Sequence, residues 1–238
     1  MIISKELFTK NVKDFNIDLK DVEIEMFDKY AQMLIDCNKK FNLTAIKEPD
    51  EIVLKHFVDS LSIMNTVEFC EGQTLIDVGT GAGFPGIPLL IMNPQLDITF
   101  LDSTGKKLIF IESVLDELSL FGETLNSRAE EVGQNPDYRE SFDFATARAV
   151  SELRNIAEFC LPLVKKGGTF IAMKGSKVEE EIAQSENALK TLGGKIENNF
   201  KFELPSCGER SIIHIKKISQ TPTKYPRNFS QITKHPIR

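Results

Sequence analysis

The sequence predicts an α/β fold: a doubly wound, mainly parallel sheet with a helical extension before it and a basic tail after it. Three observations predict this. From Thr74 onward, short apolar runs alternate with helical patterns, as parallel strands joined by crossover helices require. The run at 74–78 leads into four glycines within eight positions, Gly79, Gly81, Gly83 and Gly86, and then into an apolar helix. The final two runs have no helix between them, so they should pair antiparallel at one edge of the sheet. On this reading residues 1–65 are a helical region packed on the core, 66–218 the sheet domain and 219–238 a basic surface tail.

Composition bounds the rest. A chain of 238 residues with 41% hydrophobic content can build one large domain around a core. No apolar run reaches the length of a membrane span, and residues 1–15 are too charged for a signal peptide, so the expected location is the cytoplasm. Cys37, Cys70, Cys160 and Cys207 lie far apart without a C-x-x-C pair. They suggest neither zinc nor disulfides, and no metal site is expected. The net charge of -6 speaks against nucleic acid, but its distribution does not. Residues 211–238 hold Lys216, Lys217, Lys224, Arg227, Lys234 and Arg238 and no acid. That stretch is +6, so the remainder carries -12 to reach -6 overall. Such asymmetry suggests a basic contact strip on an acidic body.

Each element has its own justification. Ser4 can cap a helix over 5–15. Over 21–41, Ile24, Phe27, Ala31, Leu34 and Phe41 recur at helical spacing, flanked by Tyr30 and Ile35. Glu48-Pro49-Asp50-Glu51 opens a third helix, with proline in the first turn and acids at the positive dipole end. That helix carries His56, Asp59 and Ser60. Strands are expected at 74–78, 97–102, 123–127, 142–147, 169–173, 195–204 and 211–217. Helices are expected at 86–92, 105–120, 153–164 and 177–191, with Gly167-Gly168 and Gly193-Gly194 as helix stops. After Ser219, Pro, Lys and Thr dominate, which reads as a tail laid on the surface or disordered.

A strand, a glycine turn and a helix in that order form a concave cradle at the carboxyl edge of the sheet. Glycine lets the backbone take positive φ and lets a ligand lie against it. Gly81-Ala82-Gly83-Phe84-Pro85-Gly86 alone fits the dinucleotide pattern G-x-G-x-x-G. Asp77-x-Gly79-x-Gly81-x-Gly83 is more similar to the D-x-G-x-G-x-G turn of S-adenosylmethionine-dependent methyltransferases. A carboxylate just before the first glycine would repel a pyrophosphate but suits a sulfonium and an ammonium. Asp77, Gly79 and Gly81 are therefore read as cofactor-binding, on a class I, Rossmann-like methyltransferase sheet. Asp102, at the end of the second strand, would accept hydrogen bonds from ribose hydroxyls, or would merely cap the next helix. In this fold the loop at 127–131 passes the adenine, where a backbone N–H of Ala129 or Glu130 could read the base edge.

Thr146-Ala147-Arg148-Ala149 ends the fourth strand, at the substrate-facing position of such folds. Enzymes that methylate an exocyclic amine often carry D/N-P-P-Y/F there. An amine must lose a proton and benefits from a base. A ring nitrogen such as guanine N7 already exposes a lone pair, so positioning suffices. Arg148 could hold a phosphate or a guanine O6, or pair with an acid such as Glu152. Lys174 and Arg210 fall on the same edge. Together the three are positioning candidates facing RNA phosphates; singly, each reads as a solvated side chain. No residue stands out as a general base. His56 and Asp59, one turn apart with Asn42 upstream, read as a polar cluster facing the cofactor or as a helix-surface hydrogen bond. Lys224-Tyr225-Pro226-Arg227 suits stacking on single-stranded RNA, or solubilises a tail.

Taken together these motifs resemble one family, the small-subunit (16S) ribosomal RNA guanine-N7 methyltransferases, known as RsmG or GidB. The resemblance rests on Asn42-Leu43-Thr44, His56-x-x-Asp59-Ser60, the run from Asp77 to Gly86, Leu101-Asp102-Ser103 with Lys106 and Lys107, Arg128-Ala129-Glu130, Ala147-Arg148-Ala149 and Lys174-Gly175. The tail resembles that of the longer, Gram-positive type members. Thr146 stands where many members have serine, and Met173 where many have leucine. The resemblance implies methyl transfer from S-adenosylmethionine to N7 of one guanine in the 530 loop of 16S ribosomal RNA. It also implies that Gly79, Phe84, Ala129, Glu130 and Arg148 contact the cofactor. The expected partner is 16S ribosomal RNA or the small ribosomal subunit, met by a monomer. Three rivals remain: an NAD(P)-dependent oxidoreductase in the same cradle, a non-catalytic ribosome-assembly factor, and a methyltransferase of proteins or small molecules. The first lacks an evident catalytic His, Lys or Tyr constellation, the second should have lost a cradle residue, and the basic tail speaks against the third.

Overall fold

The computed structural model describes all residues except 149, 150, 177, 206 and 238. Ala149 of the fourth-strand motif, the expected helix start at Lys177 and the terminal charge of Arg238 lie outside the described residues.

The N-terminal region is helical. It comprises α1 (Lys5–Val12), a 3-10 turn (Lys13–Phe15), α2 (Asp21–Asn38), and a composite helix. The composite runs through α3 (Pro49–Ile52), a π-helical turn (Val53–Val58), α4 (Asp59–Leu61) and a 3-10 turn (Ser62–Asn65). Ser4 caps α1, its hydroxyl accepting from the Leu7 N–H at 3.2 Å. The buried face of α2 is Ile24, Phe27, Tyr30, Ala31 and Leu34. Tyr30, expected at the flank, is fully buried. Phe41, expected on the buried face, lies beyond the helix end and is exposed, with the Lys106 ammonium 5.2 Å from its ring.

The sheet domain alternates as expected: β1 (Thr74–Val78), α5 (Gly86–Met92), β2 (Asp97–Asp102), α6 (Gly105–Leu118), β3 (Glu123–Asn126), α7 (Ala129–Val132), β4 (Phe142–Arg148), α8 (Leu153–Cys160), β5 (Val164–Lys174), α9 (Val178–Leu192), β6 (Gly194–Leu204) and β7 (Gly208–Lys217). The strand order is β3-β2-β1-β4-β5-β7-β6. The first five strands are parallel, and β7 runs antiparallel to both β5 and β6. The order reverses between β1 and β4, so a crevice opens there at the carboxyl ends. One face of the sheet buries Leu75, Phe100 and Ile171 against the N-terminal helices, α5 and α6. The other buries Ile76, Ala145 and Phe170 against α8 and α9.

One pair of glycines behaves differently from the sequence expectation. Gly193, with φ of 83°, does end α9. Gly167 and Gly168 instead lie inside β5, whose start displaces the expected end of α8. A Cβ on Gly168 would overlap the Asp143 carbonyl, so glycine here permits close approach at a shift in the β4–β5 register.

Residues 219–237 are docked rather than loose. Lys217 is fully buried, its Nζ donating to the Leu161 carbonyl and to Thr221 Oγ1 beside the Glu140 carboxylate at 2.9 Å. Arg139 donates to the carbonyls of Thr221, Tyr225 and Gly133. Arg227 grips the buried Glu158 through its backbone N–H, Nε and Nη2. The last helix, α10 (Phe229–Lys234), then packs on α8. Tyr225 is buried, so Lys224-Tyr225-Pro226-Arg227 does not offer the open stacking platform its composition suggests.

The N-terminal helices share one aromatic cluster with the cradle. Phe57 lies with ring centroids 4.9 Å from Phe27, 5.5 Å from Tyr30, 5.9 Å from Phe8 and 6.2 Å from Phe84. Phe57→Ala should therefore cost about 3–5 kcal/mol and lower the thermal midpoint by ~10 °C in a single transition. Two separate calorimetric transitions would show instead that residues 1–65 fold apart from the sheet.

Candidate functional site

The turn between β1 and α5 is held from outside itself. Gly79 and Gly81 have φ of 70° and 63°, the left-handed region that favours glycine. The Gly79 N–H donates to the Leu101 carbonyl at 2.8 Å, and the Gly81 N–H to Asp102 Oδ2 at 3.1 Å. The Tyr30 hydroxyl donates to the Ala82 carbonyl at 2.6 Å. Asp77 sits beneath: its Oδ2 accepts from the Thr80 hydroxyl at 2.6 Å and the Gly86 N–H at 3.0 Å. Asp77 is fully buried, its Oδ1 has no protein partner among the described residues, and burial pushes its pKa up to about 6. It lines neither of the two cavities beside the turn. The sequence reading gave Asp77 a ligand's positive charge to face; the fold has it close the two ends of the turn instead.

The first cavity, of about 260 Å³, lies over β1, β2 and β3. Gly79, Asp102, Arg128, Ala129 and Glu130 line it, with Ile156 and Phe159 from α8. Asp102 caps the next helix, one of the two roles the sequence allowed. Its Oδ1 accepts from the Thr104 N–H at 2.9 Å, at the start of α6, and its Oδ2 accepts from Gly81 and from Lys107 Nζ at 3.1 Å. A carboxylate has roughly four acceptor directions, so three bonds leave capacity toward the cavity. Ala129 and Glu130 open α7, where helical N–H groups lack intrahelical acceptors.

The second cavity, of about 390 Å³, lies between the composite N-terminal helix and the ends of β4, β5 and β7. Its centre is Arg148. One guanidinium nitrogen donates to Asp59 Oδ2 at 3.0 Å and the other to His56 Nδ1 at 3.1 Å. The guanidinium also lies 4.8 Å from the centre of the Phe84 ring, on which His56 stacks at 4.4 Å. Glu152, the acid expected beside Arg148, pairs with Arg154 instead. Arginine can only donate, so His56 Nδ1 accepts, Nε2 carries the proton, and that proton goes to Thr44 Oγ1 at 2.9 Å. Burial, then the Arg148 charge, pushes the His56 pKa down to about 3. The upstream asparagine in this network is Asn38, whose Oδ1 accepts from the N–H groups of Leu43 and Thr44, rather than Asn42.

The other two positioning candidates are brought to the same cavity with their charges partly spent. Arg210 Nε lies 3.4 Å from Asp59 Oδ1. Lys174 is nearly buried and donates to Glu181 and to the Ser151 carbonyl, each at 2.6 Å. Four cations, Lys55, Arg148, Lys174 and Arg210, line the cavity against two acids, Asp59 and Glu181, so it stays positive. The sequence reading missed Tyr30, Phe159 and Glu181 as site residues. Only Tyr30 carried a signal, its place beside the buried stripe of α2. Among the described residues, no group of three or more His, Cys, Asp and Glu is arranged to hold a metal ion, and no helix is long and apolar enough to cross a membrane.

Comparison with known proteins agrees with this architecture. The family model for GidB, rRNA small subunit methyltransferase G, matches residues 23–212. A protein of Acetivibrio thermocellus named ribosomal RNA small subunit methyltransferase G is 47% identical over 235 residues, covering 98% of this chain and 96% of its own. One of the same name from Lactobacillus acidophilus is 46% identical, covering 99% of this chain and all of its own length. Among solved structures, a SAM-dependent methyltransferase from Aquifex aeolicus superposes with a TM-score of 0.54 at 18% identity, over 77% of this chain and 98% of that one. A SAM-dependent O-methyltransferase from Thermotoga maritima superposes with a TM-score of 0.52 at 17% identity, over 79% and 72% of the two chains. At these identities the structural likeness speaks for the fold alone.

The histidine geometry sets a pH dependence. The unfolded chain protonates His56 near pH 6.5 while the folded chain resists until about pH 3, so its contribution is flat above pH 6.5 and is lost below it. Relative to His56→Gln, the wild type should lose up to ~1.4 kcal/mol of stability per pH unit between those limits. Denaturant titrations of both proteins from pH 8 to 4 measure the difference. Parallel profiles would mean that His56 titrates normally in the fold.

Proposed function

The chain belongs to the GidB family of rRNA small subunit methyltransferases G, and on that premise we propose how its site works. It is an S-adenosylmethionine-dependent ribosomal RNA methyltransferase, and the product is N7-methylguanine in the 530 loop of 16S ribosomal RNA. The observation that carries the ring-nitrogen reading is the state of the second cavity. Each of its proton acceptors is already engaged: His56 accepts from Arg148, Asp59 lies between Arg148 and Arg210, and Glu181 holds Lys174. Methylation of an exocyclic amine would call for a base. Guanine N7 offers its lone pair without losing a proton, so a site that only orients is sufficient.

The residues fit the cofactor. Gly79 and Gly81 leave the turn without side chains, Asp102 keeps acceptor capacity at a strand end, and Ile156 and Phe159 supply apolar surface for a purine. When bound, S-adenosylmethionine supplies a methyl group on a cationic sulfur. Gly79, Gly81, Asp102, Ala129 and Glu130 hold the nucleoside side. Arg148, which lines the second cavity, and Phe84, packed beneath its guanidinium, contact the cofactor's methyl end. Asp77 acts at one remove, through the shape of the turn. Lys55 and Arg210 take the phosphate or O6 of the target nucleotide at the second cavity.

The remaining partner assignments follow from charge. The body of the chain is acidic, and two of the C-terminal cations, Lys217 and Arg227, are turned inward on Glu140 and Glu158. The protein therefore engages its target within the small ribosomal subunit, as a monomer in the cytoplasm, where protein and folded RNA supply the docking surface. The cradle keeps its acid and all four glycines, which favours catalysis over a degenerate assembly factor.

Gly81→Asp tests the cradle. A Cβ there meets only the Gly79 carbonyl at 3.9 Å, so the side chain fits in space. The left-handed backbone costs roughly 1–2 kcal/mol, and the new carboxylate stands beside Asp102. The variant should stay folded by circular dichroism, lose S-adenosylmethionine affinity on the order of 100-fold, and fail to methylate. Methylation is read by chemical cleavage at N7-methylguanine in small-subunit RNA, offered free and within the subunit. Unchanged affinity by calorimetry would move the cofactor elsewhere; cleavage at a base other than guanine would overturn the ring-nitrogen reading.

A further inference from the structure

The first cavity has a wall that the methyltransferase sheet does not supply. Phe229, the first residue of α10, lines it opposite Gly79 and Asp102. The ring stacks on Phe159 at 6.2 Å with planes 21° apart, and the Arg128 guanidinium lies 5.5 Å from its centre. Yet Phe229 is 49% exposed, a large aromatic surface left to water at the mouth of a cavity. Its position is built, not incidental. Two residues before it, Arg227 holds the buried Glu158 of α8 through three hydrogen bonds of 2.6–2.9 Å. Asn228 caps α10 by accepting from the Gln231 N–H at 3.0 Å, and Ile232 is fully buried. Glu158 and Phe159 are neighbours, so one segment of α8 both anchors the C-terminal stretch and backs its aromatic ring.

We propose that Phe229 is the outer wall of the adenine site, so that docking of the C-terminal segment and binding of the cofactor's nucleoside are coupled. The inference rests on the assignment of this cavity to S-adenosylmethionine. A purine entering beside Phe159 and Ile156 meets the exposed surface of Phe229 and removes it from water. Base–aromatic stacking tolerates any purine face, so the wall adds affinity for the adenosine part and none for the methionine part. Arg128, already over the ring, is held by the same stack. The C-terminal segment thus takes part in catalysis as a positioning element of the cofactor site, and its buried cations serve to bring Phe229 there.

Calorimetric titration of the full chain with S-adenosylhomocysteine tests this. Phe229→Ala should weaken binding ~10-fold, the order expected for one lost stack, and Phe229→Tyr should restore it. The ligand-free thermal midpoint should not move, because the ring is half in solvent; a merely structural role would move the midpoint and not the affinity. S-adenosylhomocysteine should also slow tryptic cleavage after Lys224 and Lys234 in the wild type. Wild-type affinity in Phe229→Ala, or an unprotected C-terminal segment, would overturn the proposal while leaving the methyltransferase intact. Failure of the wild type to bind S-adenosylhomocysteine would overturn the cofactor assignment and the wall with it.

Discussion

A turn that must stay open for a ligand cannot be stabilised by its own side chains. Gly79, Gly81 and Gly83 take positive φ and carry nothing to pack, so beyond its own bonds from the Gly83 and Phe84 N–H groups to the Thr80 carbonyl, this turn is restrained by neighbours. Asp77 ties Thr80 to Gly86 from below, Asp102 holds the Gly81 N–H from the next strand, and Tyr30 reaches in from an N-terminal helix to hold Ala82. The cost is visible in Asp77, a fully buried carboxylate with one oxygen unpartnered among the described residues and its pKa raised by burial. Such a group is tolerated because its other oxygen satisfies two donors that would otherwise be buried and unpaired.

The dependence ties the N-terminal helices to the turn and to Arg148. Without α2 the turn would lose the Tyr30 hydrogen bond, and without the composite helix Arg148 would lose both its carboxylate and its imidazole partner. The π-helical turn at Val53–Val58 lies where His56 must stack on Phe84 while Asp59, just beyond it, meets Arg148. A widened helical turn is a common device where a helix must aim side chains at a site. The helical region therefore supplies Lys55, His56 and Asp59 to the second cavity's lining, and the strand ends and α9 supply Arg148, Lys174, Arg210 and Glu181.

What was legible in the sequence was whatever period and motif can carry. β1, β2 and α5 were read to the residue because a buried parallel strand and a glycine turn leave strong local signals. Gly79, which that turn contributes, lines the first cavity. Direction was not legible. The sequence shows that Asp77 is acidic but not that it points under the turn, and it shows a basic tail but not that Lys217 and Arg227 turn inward onto Glu140 and Glu158. Those pairings join residues about 70 or more positions apart, and no local pattern encodes them. Gly167-Gly168 misled for the same reason, since the close approach of Gly168 is to β4 and not to the preceding helix.

Phe84 lines neither cavity but backs Arg148, which lines the second. Its ring has His56, Arg148, Tyr30 and Phe57 as neighbours, so it is fixed among four partners rather than free to adjust. A displaced Phe84 would carry Arg148 with it, because the guanidinium is held both over the ring and against His56, which stacks on that ring. Methyl transfer to a lone pair that needs no deprotonation depends on alignment above all, and a fixed stack of Phe84, His56 and Arg148 serves alignment. A neutral histidine suits such a stack. As an acceptor toward Arg148 and a donor toward Thr44, it has its ring plane fixed at both nitrogens. Protonation would abolish the acceptor and set two cations against each other, which is why burial beside Arg148 and a strongly lowered pKa occur in the same residue.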